Sequence, residues 1–283
     1  MGKLVALNNI SKVYPNKNVL SNISLTINKK QIYAILGGNG SGKSTLLRIV
    51  AGIEKPSSGK IYYSNENIRI GYVPERFPKN IRFTPSEYLL YIGKMSKASK
   101  NDITKRIDNL LHRFQLDGLK DIRIAELSKG NIQKVGIIQA ILQKPDLLVL
   151  DEPLSGLDSA AQEELVKIIG ELKQQGTTIV LTYHESYIFE SIVENRLFLH
   201  NGNISKAKPI EKESIKLLVV SNVENSLVKK WDEILQVEDK GKQLFLYVPV
   251  KMSDAILSRV LQLEGNIEAV STVSVDDKME KML

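Results

Sequence analysis

The first third of the chain alternates between apolar and polar positions in short runs. Residues 4–13 and 19–27 repeat with a period close to two, which is typical of half-buried strands. Residues 31–36 form another apolar run, and from about Lys43 the spacing becomes helical, with apolar side chains on one face. Apolar runs that predict two further strands follow this helix, at residues 60–63 and 69–73.

The middle of the chain is helical and interrupts the strand pattern. Apolar positions recur every three or four residues between residues 85 and 127, which predicts a helical subdomain at about 80–130. The uninterrupted apolar run at 147–150 predicts a parallel strand buried on both faces. A helix at 159–175 and a strand at 178–182 follow it. This alternation predicts a wound α/β core.

The last quarter of the chain has the pattern of a second, smaller domain. An Asn-Gly turn between residues 197–200 and 203–206 predicts a hairpin, and a charged linker follows Pro209. The predicted domains are therefore 1–208 and 209–283. In the second domain the order βαββαβ predicts a ferredoxin-like α+β fold. Its aromatic residues stand at strand and helix spacings, so we interpret them as core residues rather than ligand contacts: Trp231, Phe245 and Tyr247.

Composition excludes several classes of protein. The chain of 283 residues has no cysteine, and its three histidines show no metal-ligand spacing. The start lacks the apolar core of a secretion signal, and no stretch approaches the ~18 apolar residues of a membrane-spanning helix. We therefore expect a cytoplasmic protein. The net charge is +7, and residues 76–113 contribute nine Lys or Arg against three acids. The excess of positive charge could bind anionic lipid headgroups or an acidic partner, or could simply form a solvated surface. No nucleic-acid partner is expected, because aromatic RNA-binding motifs are absent.

A glycine-rich loop between the third strand and the first helix predicts a phosphate site. It fills every fixed place of the pattern G-x-x-x-x-G-K-[ST]. Its free N–H groups would point at phosphate oxygens at a helix N-terminus, with Lys43 reaching the terminal phosphates and Ser44 ligating Mg²⁺. A turn that binds nothing is the alternative. The predicted ATP-binding residues of this loop are Gly37, Gly38, Asn39, Gly40, Ser41, Gly42, Lys43, Ser44 and Thr45.

Two carboxylates follow the apolar strand at 147–150. Asp151 is positioned to hold Mg²⁺, and Glu152 to polarise the water that attacks the γ-phosphate. The alternative is that both acids merely end the strand. The sequence therefore predicts an ATPase with ATP and Mg²⁺ as its ligands.

Three further motifs complete a known arrangement. The segment Leu-Ser-Lys-Gly-Asn-Ile-Gln begins at residue 127, Ser-Gly-Leu-Asp occupies 155–158, and His184 follows. With the phosphate loop and the Asp-Glu pair, these motifs resemble the nucleotide-binding subunit of an ATP-binding cassette (ABC) transporter over residues 1 to about 208. The resemblance implies an ABC-type P-loop NTPase fold with an antiparallel β subdomain. It also implies that Ser128 and Gly130 bind the γ-phosphate held by a second subunit, that His184 contacts the γ-phosphate, and that Tyr14 stacks on adenine; an ordinary strand tyrosine is the alternative for Tyr14.

The chain also departs from the common pattern of this family. Glu75 stands where the family usually has a glutamine that senses Mg²⁺, and Lys129 replaces a signature glycine. These features and the added C-terminal domain resemble the exporters of drugs, antibiotic peptides and sodium. We therefore expect a membrane permease and a second nucleotide-binding subunit as partners, at the inner face of the membrane. A homodimer is expected for the two nucleotide-binding subunits, and a heterodimer is the alternative. The alternatives are an ABC ATPase acting on ribosomes or nucleic acid, and a regulatory protein with weak ATPase activity.

Overall fold

The chain divides into two compact units. They comprise Met1–Pro209 and Ile210–Leu283. The computed structural model describes residues 2–15, 17–95, 99–183, 187–206, 215–228, 231 and 233–273.

Two sheets form the framework of the first unit. One is antiparallel with the order β2-β1-β4, and the other has six strands in the order β5-β6-β7-β3-β8-β9, all parallel except β9. The strands are β1 (Lys3–Tyr14), β2 (Lys17–Asn28), β3 (Ile32–Leu36), β4 (Ser58–Tyr63), β5 (Ile70–Val73), β6 (Leu147–Leu150), β7 (Thr178–Leu181), β8 (Asn195–His200) and β9 (Asn203–Ser205). The predicted α/β core with an antiparallel β subdomain is confirmed.

Most of the long helices of this unit have a polar N-cap residue whose side chain accepts a hydrogen bond from a backbone N–H of the first turn. Thr84, Ser99, Ser128 and Asp158 do so before the second to fifth helices. The helices are α1 (Lys43–Val50), α2 (Pro85–Lys94), α3 (Lys100–Arg113), α4 (Lys129–Ile141), α5 (Ser159–Gln174) and α6 (Tyr187–Glu190). Helices α2 and α3 form the predicted helical subdomain.

The six-stranded sheet is buried on both faces. In β6, Leu148 and Leu150 belong to the core shared with the helical subdomain, whereas Leu147 and Val149 belong to the core shared with the antiparallel sheet. An uninterrupted apolar run was therefore the correct signal for this strand. Arg113 of α3 adds a polar link, because its guanidinium donates to Glu164 and Glu171 of α5.

The second unit has the βαββαβ order predicted from its sequence. Its antiparallel sheet has the order β11-β12-β10-β13, which places the first and third strands of the unit at the centre, as in ferredoxin-like folds. The described elements are β10 (Ile215–Ser221), α7 (Asn225–Val228), β11 (Gln236–Asp239), β12 (Gln243–Pro249), α8 (Ser253–Gln262) and β13 (Asn266–Val273). Helix α7 has four described residues, and residues 229 and 230, which follow it, lie outside the described residues.

The aromatic residues of the second unit do not share one environment. Leu244 and Leu246 of β12 face the core that α8 covers, and Trp231 packs against the same core. Phe245 and Tyr247 alternate with these leucines and so lie on the opposite face of the sheet. The prediction that all three aromatics are core residues is confirmed for Trp231, which packs on this core, and for Tyr247, which is buried, whereas Phe245 is only partly buried.

None of the helices that the structure describes is long and apolar enough to cross a membrane.

Candidate nucleotide-binding site

The phosphate loop occupies the turn between β3 and α1, as predicted. Gly40 and Gly42 adopt φ angles of 73° and 104°, in the left-handed region that favours glycine. A Cβ on Gly42 would also lie 2.9 Å from Cγ1 of Val19, so the strand beside the loop leaves no room for a side chain. The glycines therefore set the path that brings the loop N–H groups to the start of α1.

Lys43 is held inside this loop. It is 5% exposed, and its Nζ donates to the carbonyl oxygens of Gly37 at 2.9 Å and Gly38 at 3.1 Å. The ammonium group is thus fixed by two neutral acceptors that an anionic phosphate can replace. In the described part of the chain, the Ser41 hydroxyl is buried in the same loop without a hydrogen-bond partner.

A cavity of about 560 Å³ opens in front of the loop. This volume is within the range of small-molecule and cofactor sites. It brings together residues from the phosphate loop, from the end of β5 and from the end of β6. The described residues that line it are Val19, Asn39, Gly40, Gly42, Lys43, Ser44, Thr45, Glu75 and Glu152. Eight of these nine were predicted from the sequence; Val19 was not.

Asp151 lies buried beside the cavity, where three oxygen groups meet. Its carboxylate accepts a hydrogen bond from the Thr182 hydroxyl at 3.0 Å, and it is also hydrogen-bonded to Ser44. Burial raises the pKa of Asp151 above its usual value, against the two hydrogen bonds, and the charges of Glu152 and Glu75 raise it further. A cation at this position would relieve both effects.

Glu152 has a strained backbone that a single threonine supports. Its φ angle is 45°, which a residue with a Cβ rarely adopts, at a cost of about 1 kcal/mol or more. Its N–H donates to the Thr182 hydroxyl at 2.8 Å. Thr182, which is fully buried, therefore holds both carboxylate residues at once. Sequence patterns assign no role to Thr182, although this residue follows a strand that ends at the same edge of the sheet as Asp151.

The oxygen groups at this edge suit Mg²⁺. Ser44, Asp151 and Glu75 offer hard oxygen ligands, and Mg²⁺ is usually bound by one or two carboxylates together with water and substrate phosphate. Within the described ranges no group of three or more His, Cys, Asp or Glu side chains could hold a metal alone. The residues thus fit a metal that arrives with a nucleotide.

The loop that carries Glu75 contacts α4, the helix that contains most of the signature segment, residues 127–133. Glu75 is partly exposed, and one carboxylate oxygen lies 3.6 Å from Nε of Arg76. The carbonyl oxygen of Pro74 accepts a bond from Nε2 of the buried Gln133 in α4, at 3.3 Å. Gln133 belongs to the signature segment, and its contact with the Glu75 loop could not be found from spacing alone.

The signature residues lie at the start of α4. Ser128 is the N-cap, and its hydroxyl accepts the N–H of Asn131 at 3.3 Å. A Cβ on Gly130 would lie 2.4 Å from the carbonyl oxygen of Gly156, so this position must be glycine. Neither Ser128 nor Gly130 is among the described residues that line the cavity of the same subunit.

An ion pair joins α4 to the start of α5. Nζ of Lys134 lies 2.8 Å from a carboxylate oxygen of Asp158, and Lys134 is 5% exposed. This bond, with the N–H that Ala161 donates, lowers the pKa of Asp158. Asp158 therefore stays charged while it caps α5.

Tyr14, which the resemblance assigns to the adenine, is not brought to the cavity lining that the structure describes. Tyr14 ends β1, and its hydroxyl donates to Glu54 at 2.5 Å; among the described residues it is not part of the cavity lining. Lys12 and Arg48 also bind Glu54. His184 lies outside the described residues.

Comparison with known proteins decides the family. A family model described as "ABC transporter" matches residues 20–155. The chain is 33% identical over 226 residues to the zinc import ATP-binding protein ZnuC of Buchnera aphidicola, covering 79% of this chain and 92% of that relative. The chain belongs to the ABC transporter ATP-binding proteins.

Other relatives extend this result. The chain is 29% identical to the Nod factor export ATP-binding protein I of Neorhizobium galegae, over 98% of this chain and 86% of that relative. The solved structure of an ATP-binding subunit of an ABC transporter matches with a TM-score of 0.66 and 29% identity, over 73% of this chain and 90% of that one. The protein is thus an ATPase and an ATP-binding subunit, of a class that pairs with membrane permease components and dimerises. Its relatives include an import and an export protein, so resemblance does not fix the direction of transport.

Proposed function

We propose that this ATPase drives export through a separate membrane permease, as a homodimer at the inner face of the membrane. The observation that carries the site assignment is the convergence of the phosphate loop, Glu75 and Glu152 on one cavity. Export is proposed from the features at Glu75, Lys129 and the C-terminal domain that resemble exporters, and the export relative, whose alignment spans nearly the whole chain, supports it. The zinc import relative aligns with a smaller part of the chain.

The charged and hydroxyl side chains in and beside the cavity have separate tasks in this proposal. On nucleotide binding, Lys43 exchanges the two loop carbonyls for terminal phosphate oxygens, and the loop N–H groups bind the same phosphates. Ser44, Asp151 and Glu75 would hold Mg²⁺, which when bound neutralises negative charge on the phosphates. Glu152 accepts a proton from the attacking water.

The signature residues act on the nucleotide of the second subunit. Ser128 and the first N–H groups of α4 form an anion site at a helix N-terminus, and they do not line the cavity of their own subunit. ATP bound by one copy would therefore hold the second copy at this helix. Hydrolysis removes that contact and separates the subunits.

A second cavity, of about 650 Å³, lies between the Glu75 loop and α4 and suits a permease segment. Its apolar part includes Phe77, which packs so closely on α4 that a Cβ on Gly136 would lie 2.5 Å from the ring. Three cations surround it, so an apolar segment that carries acidic residues would fit. The residues that line it are Arg76, Phe77, Pro78, Lys79, Lys129, Ile132 and Gln133.

The test is a pull-down with the Glu152→Gln chain, ATP and Mg²⁺ from detergent-solubilised source membranes. We expect this variant to bind ATP, hydrolyse almost none and accumulate as a homodimer with a polytopic membrane protein. Lys43→Ala is the matched control and should bring down neither ATP nor a dimer. Normal ATP hydrolysis by Glu152→Gln would refute the assignment of Glu152 as the general base. Copurification of ribosomal or nucleic-acid components in place of a permease would overturn the assignment to transport.

Direction is tested by reconstituting the copurified permease with this chain in vesicles, with ATP outside. ATP then acts only on subunits that face outward, so transport into the lumen is export relative to the ATPase side. Export predicts ATP-dependent accumulation of a cationic peptide, a drug-like cation or Na⁺. ATP-dependent release of preloaded Zn²⁺ would establish import.

A further inference from the structure

The helical subdomain carries a group of exposed apolar side chains away from both cavities. Phe83, Tyr91, Met95 and Ile122 are 46%, 55%, 79% and 39% exposed, and we name them the aromatic patch. Isolated apolar side chains on a surface are ordinary. A contiguous group that includes two aromatic rings is a candidate for interaction.

Three of the four side chains lie together, and Ile122 belongs to the segment beside them. The rings of Phe83 and Tyr91 lie 5.2 Å apart between centroids. Met95, the C-cap of α2, follows Tyr91 by four residues and so lies on the same side of the helix. The N–H of Ile124 donates to the carbonyl oxygen of Phe83 at 3.0 Å, which places Ile122 in the neighbouring segment.

Cations surround this patch. Nζ of Lys94 lies 5.1 Å from the centre of the Tyr91 ring. Arg82 and Arg123 are exposed and adjacent in sequence to patch residues, and Lys120 is exposed and bonds to Ser86 through its backbone.

Two acids, Glu87 and Asp121, lie in the same two segments as these four cations, and they do not cancel the positive charge. The carboxylate of Glu87 accepts the N–H of Thr84 in the capping box of α2, so the start of the helix partly offsets its charge. Asp121 lies between two of the cations in sequence. The local charge therefore remains positive.

We propose that the aromatic patch rests on the anionic lipid surface of the membrane. Aromatic rings and long basic side chains are the residues that occupy the interface between headgroups and acyl chains. Each cation near an anionic bilayer contributes attraction, and the apolar side chains enter the boundary layer. The patch combines partly exposed apolar side chains with neighbouring cations, and this combination matches the anionic headgroups and acyl chains of a lipid surface. This inference does not depend on ATP hydrolysis or on the direction of transport.

The experiment is sedimentation of the full chain with vesicles, without permease. Vesicles of phosphatidylcholine alone are compared with vesicles that contain 30% phosphatidylglycerol. We expect binding to the anionic vesicles and at least tenfold weaker partition into the neutral ones. Phe83→Ala/Tyr91→Ala should lower the partition coefficient at least tenfold, and Arg82→Gln/Lys94→Gln about fivefold for each cation removed.

Tyr62→Ala is the matched control, because Tyr62 is an equally exposed tyrosine on β4, at 52%. It should leave vesicle binding unchanged, and basal ATPase activity should be the same in every variant. Absence of vesicle binding, or an equal loss in Tyr62→Ala, would overturn the proposal. Unchanged vesicle binding by the patch variants, with loss of permease copurification, would assign the patch to a protein partner instead.

Discussion

Thr182 offers the sharpest test of how the catalytic edge is built. Thr182→Val keeps the volume of the side chain and replaces only the hydroxyl. The substitution removes the bond to the Asp151 carboxylate and leaves the N–H of Glu152 without its acceptor. Thr182 is fully buried, so water cannot easily replace the hydroxyl.

The expected cost follows from these two bonds. A hydrogen bond to a charged group contributes about 1.5–3 kcal/mol, and an orphaned buried N–H costs about 1 kcal/mol or more. The free energy of unfolding should therefore fall by about 2–4 kcal/mol, which lowers Tm by roughly 5–10 °C for a domain of this size. Release of the Glu152 backbone should reduce kcat about ten- to hundredfold, because small displacements of a catalytic group are costly.

The pH dependence gives an independent signature of the same change. The Thr182 hydroxyl lowers the pKa of Asp151, so its loss should raise that pKa further. The acidic limb of the ATPase profile should then move to higher pH. Thr182→Ser, which keeps the hydroxyl, should restore the profile and most of the activity. A Val variant with the parent's Tm and pH profile, or a Ser variant impaired to the same degree, would refute this reasoning.

Three further predictions concern other parts of the ATPase unit. Burial raises the pKa of Glu54, but hydrogen bonds from Lys12, Tyr14 and Arg48 outweigh burial and hold the pKa at about 2. These bonds should therefore contribute about 1–2 kcal/mol to the free energy of unfolding above pH 4.5, allowing for solvent screening, and the contribution should be lost as the pH falls toward 2. Acid-unfolding curves of Glu54→Gln should lack this loss. If Tyr14 stacks on adenine, Tyr14→Phe should keep ATP affinity in titration calorimetry while Tyr14→Ala weakens it about tenfold; equal affinities would reject stacking. Gly130→Ala should abolish the ATP-dependent dimer in size-exclusion chromatography, because a Cβ there would meet the carbonyl oxygen of Gly156. Gly170→Ala in α5 is the control, because a Cβ there meets nothing within 4 Å. This variant should keep the dimer and raise the free energy of unfolding by about 0.5–1 kcal/mol.

The sequence predicted those parts of the site that depend on contiguous residues. The phosphate loop and the Asp151-Glu152 pair each lie on one short segment, and the strand ends that position them have clear apolar runs. Thr182 was missed because its role depends on the parallel pairing of β6 with β7, which places residues about thirty positions apart side by side. No local pattern encodes that neighbour.

The same limit explains the error in the second unit. Alternation in β12 separates Leu244 and Leu246 from Phe245 and Tyr247, but it does not say which face the helices cover. The covered face follows from the position of β12 beside β10 and from the packing of α8 on Leu218 and Val220. Aromatic character alone therefore predicted too much burial for Phe245.

Helix α4 joins the parts of the site that the cavity does not. Ser128 is its N-cap, and Gln133 in its second turn bonds to Pro74, beside Glu75. Lys134, the next residue, is paired with the cap of α5. A phosphate bound at the N-terminus of α4 would therefore act on a helix that contacts two other segments, through Gln133 and through Lys134. Because Glu75 lines the ATP cavity, that route also leads back to the ATP of the same subunit, so the two sites of a dimer would be coupled in both directions.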